Sequence, residues 1–361
     1  MLFFRAFVLF VRYFYVIFAV LKLYFVAKLA IVILNWNGQK FLAQFLPALV
    51  KYAPVYSEII VADNASADHS VEFLKTEYPT IKIIQNNENG GFSKGYNEAL
   101  RQIEAEYYCL LNSDVEVTEN WIEPIVALLD DNPDVAVVHP KLLSFAHKTQ
   151  FEYAGACGGF LDYLGYPFCR GRVFESLEQD TGQYNEAMEV FWATGAALFV
   201  RSSVFRAANG LDEDFFAHME EIDFCWRVKS LGYKIMVEPK SVIYHVGGGT
   251  LPKNSARKTY LNFRNNMFLL LKNLPKNKLL PVFLLRFPLD HIAALFFLLR
   301  GHWQDTWAVY RAQLSFLRQF RKMKHKRKNI NAQVYKQTYS KSIVFLHYIR
   351  KKNKFNGGYL V

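Results

Sequence analysis

Cysteine is scarce in this sequence. The four present, Cys109, Cys157, Cys169 and Cys225, stand too far apart for a CxxC or zinc-type pairing, which excludes a disulfide scaffold and a zinc ribbon. Isolated thiols of this kind fit a reducing, cytosolic compartment. Missing too is any clean apolar run of the roughly 20 residues that a membrane-spanning helix wants. Neither a Walker motif nor a GxGxxG fingerprint is present, so no standard phosphate or dinucleotide loop marks the chain. Acidic residues nearly vanish after position 250, where only Asp290 and Asp305 remain.

What is there is apolar enough to fold. Hydrophobic residues make up 52% and charged residues 21%, which excludes a disordered chain, and a mean hydropathy near zero excludes a polytopic membrane protein. The net charge of +11 hides an asymmetry: residues 1–250 carry 20 Lys and Arg against 30 Asp and Glu, whereas residues 251–361 carry 23 against 2. An acidic body is joined to a basic tail, and the acidic body argues against a nucleic-acid partner.

The two ends are apolar but interrupted. Residues 1–27 contain Arg5, Arg12 and Lys22, whose longest uncharged interval is nine residues; the pattern suits a helix in the membrane interface or a short signal-anchor, or else an upstream extension. Residues 279–299 are broken by Pro281, Arg286, Pro288 and Asp290, which disfavours spanning and fits a membrane-dipping or interfacial helix pair. Seven Lys or Arg between 318 and 328 then read as a patch for anionic lipid headgroups, with a solvated charge run as the alternative.

Between the ends the pattern is α/β. Short apolar runs at 29–34, 58–62, 81–85, 107–111 and 135–138 read as buried strands, separated by helical segments near 39–51, 68–77, 92–104 and 119–130. Such alternation predicts a mainly parallel sheet with its site at the carboxyl ends of the strands. Residues 148–190 lack helical period and read as an irregular loop or hairpin region, 191–205 as a strand followed by a short helix, and 220–239 as a helix, a Gly232 stop and a strand.

Polar residues collect at those strand ends. Asp63 follows the second strand, where it can accept from a pyrimidine N3–H or cap a helix. Asp114 follows a very apolar strand and suits a divalent metal that bridges a diphosphate, or a turn. His245 ends another strand before three glycines and can complete a metal site with Asp114, or serve structure. In the run 218–227, Glu220, Asp223 and Arg227 share a helical stripe, which assigns Asp223 and Arg227 to an ion pair and leaves Glu221 free as a general base.

Taken in order, IVILNWNG, VADNAS, NGGFSKGYN, LLNSD, TGAALFVRSSVF, GLDEDFFAHMEEIDFCWR, LGYKI, YHVGGGT and NFRNNMFLLLKN resemble the inverting glycosyltransferases of family 2, in particular the rhamnosyltransferase-like group, over about residues 29–273. The resemblance implies a GT-A fold and a nucleotide-diphosphate sugar donor. By it, Asn35 and Asp63 border the nucleotide, and Gly91 and Asn97 line the donor cleft. Asp114 takes the last place of the DxD motif, with Asn112 where that motif begins with Asp, and binds Mg2+ or Mn2+ together with His245. Glu221 is the base, with Glu220 as the alternative, and Trp192, Thr194 and Gly195 wall the place where donor meets acceptor. The expected organisation is an N-terminal apolar segment (1–27), a GT-A domain (28–273) and a membrane-associated helical tail (274–361). The expected acceptor is a glycan hydroxyl, on a polyprenyl-diphosphate carrier, with the protein at the cytoplasmic face of the membrane on anionic lipid. The QxxRW motif of processive synthases is absent. The competing function is a catalytically weak membrane-surface binding protein on a transferase fold.

Overall fold

The computed structural model describes residues 27–247, 255–356, 359 and 360. The segment expected as an N-terminal helix or extension, apart from Ala27, lies outside them, as do the last glycines of YHVGGGT.

Alternation builds the first half. Strands β1 (Ala27–Asn35), β2 (Ser57–Asp63), β3 (Lys82–Gln85) and β4 (Ala105–Asn112) pair in parallel, with β1 between β4 and β2. Successive β1 residues point to opposite faces. Leu29, Ile31 and Ile33 pack with Leu42, Leu46 and Leu49 of α1 (Gln39–Tyr52) and with Ile125 and Leu129 of α4 (Glu123–Asp131). Ala30 and Val32 face the other way, toward the cluster that holds Tyr96 and Ala99 of α3 (Gly91–Leu100). A continuous apolar strand therefore serves two cores, which is why these strands lack polar alternation. Helix α2 (Ser70–Glu77) buries Leu74 against the first face.

The second half makes the sheet mixed. Beyond β4 lies β12 (Ala197–Arg201), antiparallel to β4 and to β6 (Val135–Ser144); β13 (Lys234–His245) then runs parallel to β6. Short β5 (Val115–Val117) and β11 (Met188–Glu189) flank β13 antiparallel, completing nine strands in the order β11-β13-β6-β12-β4-β1-β2-β3 with β5 on β13. Residues 148–190 are more regular than expected: β7 (Gly159–Leu161), β8 (Pro167–Cys169), β9 (Arg172–Val173) and β10 (Ser176–Leu177) form a small antiparallel sheet. The strand expected across 191–205 is confined to β12, because α5 (Ser202–Ala207) begins at once.

Helices α6 (Glu220–Ser230) and α7 (Ala256–Asn273) close the second face. The interfacial pair expected within 279–299 is instead one helix, α8 (Lys276–Leu299), which continues through Pro281 and Pro288 and packs Phe283 and Phe287 on Phe316 of α9 (Trp303–His325). Each proline forfeits a backbone hydrogen bond, and this ring packing offsets the loss. A short α10 (Ala332–Lys336) follows, and Val334, Ile343 and Leu346 join the same core.

The basic run 318–328 is partly consumed by the acidic body. Lys326 Nζ lies 2.5 Å from Asp212 and 2.6 Å from Asp214, Lys322 Nζ lies 2.5 Å from Asp214, and Arg327 donates to the carbonyls of Leu271 and Leu274. Three of the seven cations expected at a lipid surface thus hold α9 to the domain.

Candidate active site

The parallel register sets Asn35 beside Asp63 at the carboxyl ends of β1 and β2. Asn35 Nδ2 donates to Asp63 Oδ1 (3.0 Å) and Ser66 Oγ (3.1 Å), while Asp63 Oδ2 accepts from Ser66 N–H (3.0 Å). Both side chains are buried, and Asn35 Oδ1 has no partner. A Cβ on Gly38 would stand 2.4 Å from that oxygen, so only glycine passes over it.

A glycine turn leads the chain to α3. Asn64 accepts from Asn86 Nδ2 (3.1 Å) and donates to Asn89 Oδ1 (3.0 Å) and to the Gly91 carbonyl (3.1 Å). Gly91 has φ +76°, and a Cβ there would meet the Phe216 carbonyl at 2.5 Å. Gly91 therefore sits under the loop that precedes α6. Asn97, expected along the donor cleft, spends its amide on the fold: it donates to the Leu211 carbonyl (2.8 Å) and Glu213 Oε1 (3.1 Å) and accepts from Leu211 N–H (3.0 Å).

Asp114 and His245 meet because β13 pairs with β5 in a register that opposes His245 to Val115. His245 Nε2 lies 3.2 Å from Asp114 Oδ1, and Nδ1 lies 3.3 Å from Glu152 Oε2. Burial alone would lower the imidazole, but the Asp114 and Glu152 carboxylates outweigh it and raise His245 to about 10. A metal would displace that proton. The donor set fits one: adjacent ligands about 2.1 Å from an octahedral cation stand roughly 3 Å apart, and a carboxylate behind the imidazole is the usual device that orients it. Among the described residues no group of three His, Cys, Asp or Glu is placed to hold a metal ion by itself. Two protein ligands plus phosphate and water is the ordinary arrangement for Mg2+.

The chain enters α6 under strain. Phe216, His218 and Met219 all have positive φ, between 65° and 70°, a conformation that costs non-glycine residues about 1–3 kcal/mol each and persists only where neighbours enforce it. Asn265 Nδ2 enforces it here, reaching the carbonyls of Phe215 (2.9 Å), Ala217 (2.8 Å) and His218 (2.7 Å). The next residues are Glu220 and Glu221. Each has a buried Oε2 without a hydrogen-bond partner. Burial pushes Glu221 up to about 7; burial first and then the neighbouring Glu221 charge drive Glu220 well above the usual carboxylate range. Asp223 belongs to structure, accepting from Arg227 Nε (2.9 Å), Lys272 Nζ (2.7 Å) and Asn273 Nδ2 (2.8 Å).

The segment 192–196 joins the two sides. Ala193 N–H donates to Cys225 Sγ (3.4 Å) on α6, and Thr194 Oγ1 donates to the Ala154 carbonyl, next to Glu152. Trp192 is buried with Nε1 on the Phe160 carbonyl (2.9 Å), and a Cβ on Gly195 would touch the Phe92 ring at 3.2 Å. Cys169, whose thiol is pushed up first by burial, also feels the carboxylates of Glu152 and Glu221. These contacts connect Glu152, the partner of His245, through Ala154 and Thr194 to Cys225 of the helix that begins with Glu220 and Glu221, and Asn35 and Asp63 end the two strands beside β4, which leads to Asp114. Glu152 and Asn265 were not singled out from sequence; Asn265 lies within NFRNN, whose asparagines were the available signal.

Residues 30–195 match the family model for glycosyl transferase family 2. The chain carries a family 2 glycosyltransferase domain. The glycosyltransferase is 23% identical over 245 residues to a low-salt glycan biosynthesis hexosyltransferase of Haloferax volcanii, covering 66% of this chain and 73% of that protein. It is 23% identical over 240 residues to the N-acetylglucosaminyl-diphospho-decaprenol L-rhamnosyltransferase of Mycobacterium tuberculosis, covering 60% and 75%. Among solved structures, GalNAc-T7 with UDP, GalNAc and Mn2+ superposes with a TM-score of 0.56 at 15% identity, covering 70% of this chain and 49% of that one. The glycosyltransferase therefore spans about half the length of that neighbour, and the likeness establishes a GT-A-like fold.

Proposed function

We propose that this glycosyltransferase moves a sugar, with inversion, from a UDP-sugar or a dTDP-rhamnose-like donor to a glycan hydroxyl on a polyprenyl-diphosphate carrier, in cell-surface polysaccharide assembly at the cytoplasmic face of the membrane. The reading rests on a carboxylate oxygen, Glu221 Oε2, that is buried without a hydrogen-bond partner at the start of α6, together with the Asp114–His245 donor pair at the strand ends. Two likenesses support the classes involved: the mycobacterial relative is an N-acetylglucosaminyl-diphospho-decaprenol L-rhamnosyltransferase, and the solved neighbour holds UDP and Mn2+.

Each residue then has a task. Asp63, held by Asn35 and Ser66, keeps lone pairs for the N3–H of a uracil or thymine. Asp114 and His245 would hold Mg2+ or Mn2+, with Glu152 fixing the imidazole. When bound, that ion supplies neutralisation of the leaving diphosphate. Glu221 takes the proton of the acceptor hydroxyl as its oxygen attacks the anomeric carbon; the bond to the diphosphate oxygen breaks on the opposite face, and the configuration inverts. Thr194, Gly195 and Trp192 form the wall between donor and acceptor.

A screen of nucleotide sugars for thermal stabilisation with Mn2+ present tests the donor side, because only a ligand that prefers the folded state raises the melting temperature. Stabilisation by one donor together with its Mn2+-dependent hydrolysis is the expected result. Absence of both with every UDP- and dTDP-sugar favours the competing reading, a binding protein on a transferase fold, which Asn112 in the metal motif would permit.

A further inference from the structure

Helices α8 and α9 form an antiparallel hairpin turned at Gly301, and its outer side is apolar. On α9, Trp303, Trp307, Tyr310, Leu314 and Leu317 follow one another at steps of four and three, a single stripe whose members are 40–64% exposed. On α8, Leu284, Ile292, Leu295 and Leu299 are exposed as well. Left exposed among the described residues, an apolar face of this extent marks an interaction surface.

The inner side decides how that surface can meet a bilayer. By length and composition α8 qualifies to cross a membrane. Arg286 and Asp290, however, are 2% and 1% exposed and face the domain. Arg286 Nη1 donates to the Leu164 carbonyl (2.9 Å), its guanidinium lies 3.8 Å over the Tyr166 ring, and Nη2 reaches Asp290 Oδ1 (3.3 Å). Spanning would strip Arg286 of Leu164 and Tyr166 and place the ion pair in hydrocarbon.

Charge selects the occupant. No acidic residue occurs from position 306 to the end. On α9, Arg311, Arg318, Arg321 and Lys324 are exposed and fall within about 80° of the centre of the apolar stripe, at about 100° per residue. A second copy of the chain laid on this stripe would oppose like charges. Anionic headgroups would neutralise them, while Trp and Tyr take their favoured place at the interface.

We infer that the α8–α9 hairpin lies flat on an anionic lipid membrane as an interfacial docking face, without spanning it. The same helix reaches toward the site: Lys322 and Lys326 grip Asp212 and Asp214, only a few residues before the strained loop that carries Glu221. Docking brings the cleft to the lipid surface, where a lipid-linked acceptor presents its glycan. That last step rests on the proposed function, whereas lipid binding by the hairpin does not.

The test is flotation of the full chain with phosphatidylglycerol-containing vesicles against pure phosphatidylcholine vesicles. Wild type should bind the anionic vesicles and be released by salt and carbonate. Trp307→Glu with Leu314→Glu, and separately Arg318→Glu with Arg321→Glu, should each weaken binding by about tenfold or more. All four positions are exposed, and unchanged near-ultraviolet dichroism would confirm the fold. Donor binding should stay unchanged, so that lost flotation with intact donor binding isolates the membrane claim from the transferase reading. Flotation equal to wild type in both variants overturns the proposal. So does a stripe variant that changes only the oligomer mass by light scattering, which assigns the face to a second copy, or carbonate-resistant insertion that depends on α8.

Discussion

His245 Nε2 and Asp114 Oδ1 stand 3.2 Å apart although 131 positions separate them in the chain. The contact comes from one antiparallel ladder, β13 on β5, and Glu152 closes it from the other side of the imidazole at 3.3 Å.

If this pair holds the divalent ion, then Asp114→Asn and His245→Ala should each remove the part of UDP affinity that Mn2+ adds, leaving affinity without metal unchanged. Titration calorimetry with and without Mn2+ reads this directly. Glu152→Gln should weaken the metal-dependent part about 10–100-fold, the usual consequence of losing an orienting carboxylate. Equal metal dependence in all three variants would refute the assignment.

Glu221→Gln should lower kcat by about 10²–10⁴ with donor Kd unchanged, the loss typical of a missing general base. Because burial raises Glu221 to about 7, the carboxylate fraction, and with it kcat, should climb as pH rises through about 7. Stability should move the opposite way. Between 4.5 and about 7 the folded protein retains a proton that the unfolded chain has released, so stability falls as pH rises through that window. Melting temperature against pH should flatten in Glu221→Gln; an unaltered slope would contradict the buried carboxyl.

Gly91→Ala adds a Cβ 2.5 Å from the Phe216 carbonyl at a residue with φ +76°. The expected cost is about 1–3 kcal/mol in urea unfolding. The same variant should lose activity, since the loop it displaces leads into Glu221. A neutral result in both measurements would show that the loop yields freely.

Asn265→Ala removes the amide donor from the Ala217 and His218 carbonyls at once, while the Phe215 carbonyl keeps Arg264 Nη2. Leaving buried acceptors unsatisfied costs about 1–3 kcal/mol, and kcat should fall more than the donor Kd changes. Unfolding and steady-state kinetics on one preparation separate the two effects.

Lys272 is 4% exposed between Asp212 (2.6 Å) and Asp223 (2.7 Å). Lys272→Met keeps most of the volume but strands two buried carboxylates, which should cost about 3–5 kcal/mol. Denaturant unfolding showing less than about 1 kcal/mol would mean that Lys326 and Arg227 suffice to hold them.

Local pattern made much of this protein legible. The runs at 29–34, 58–62 and 107–111 emerge as β1, β2 and β4 with ends extended by one or two residues, because a strand buried on both faces must be apolar throughout. The i, i+4 spacing of Asp223 and Arg227 likewise appears as an ion pair at 2.9 Å. Less legible was 148–190, where strands of two and three residues leave too short a run for a period to show. The continuity of α8 was hidden as well, since its prolines are tolerated through packing on Phe316, a residue of the next helix.

The sequence by itself determined the α/β alternation, the polar turns at the strand ends and the division of charge into an acidic body and a basic tail, all properties of residues near one another in the chain. Only the tertiary structure decided which distant groups meet: His245 with Asp114 and Glu152, Asn265 with the loop before Glu221, and Lys322 and Lys326 with the acids of the body. It also decided which charges leave water, and desolvation with partner geometry, which no local pattern encodes, sets both the basicity of Glu221 and the burial of Arg286.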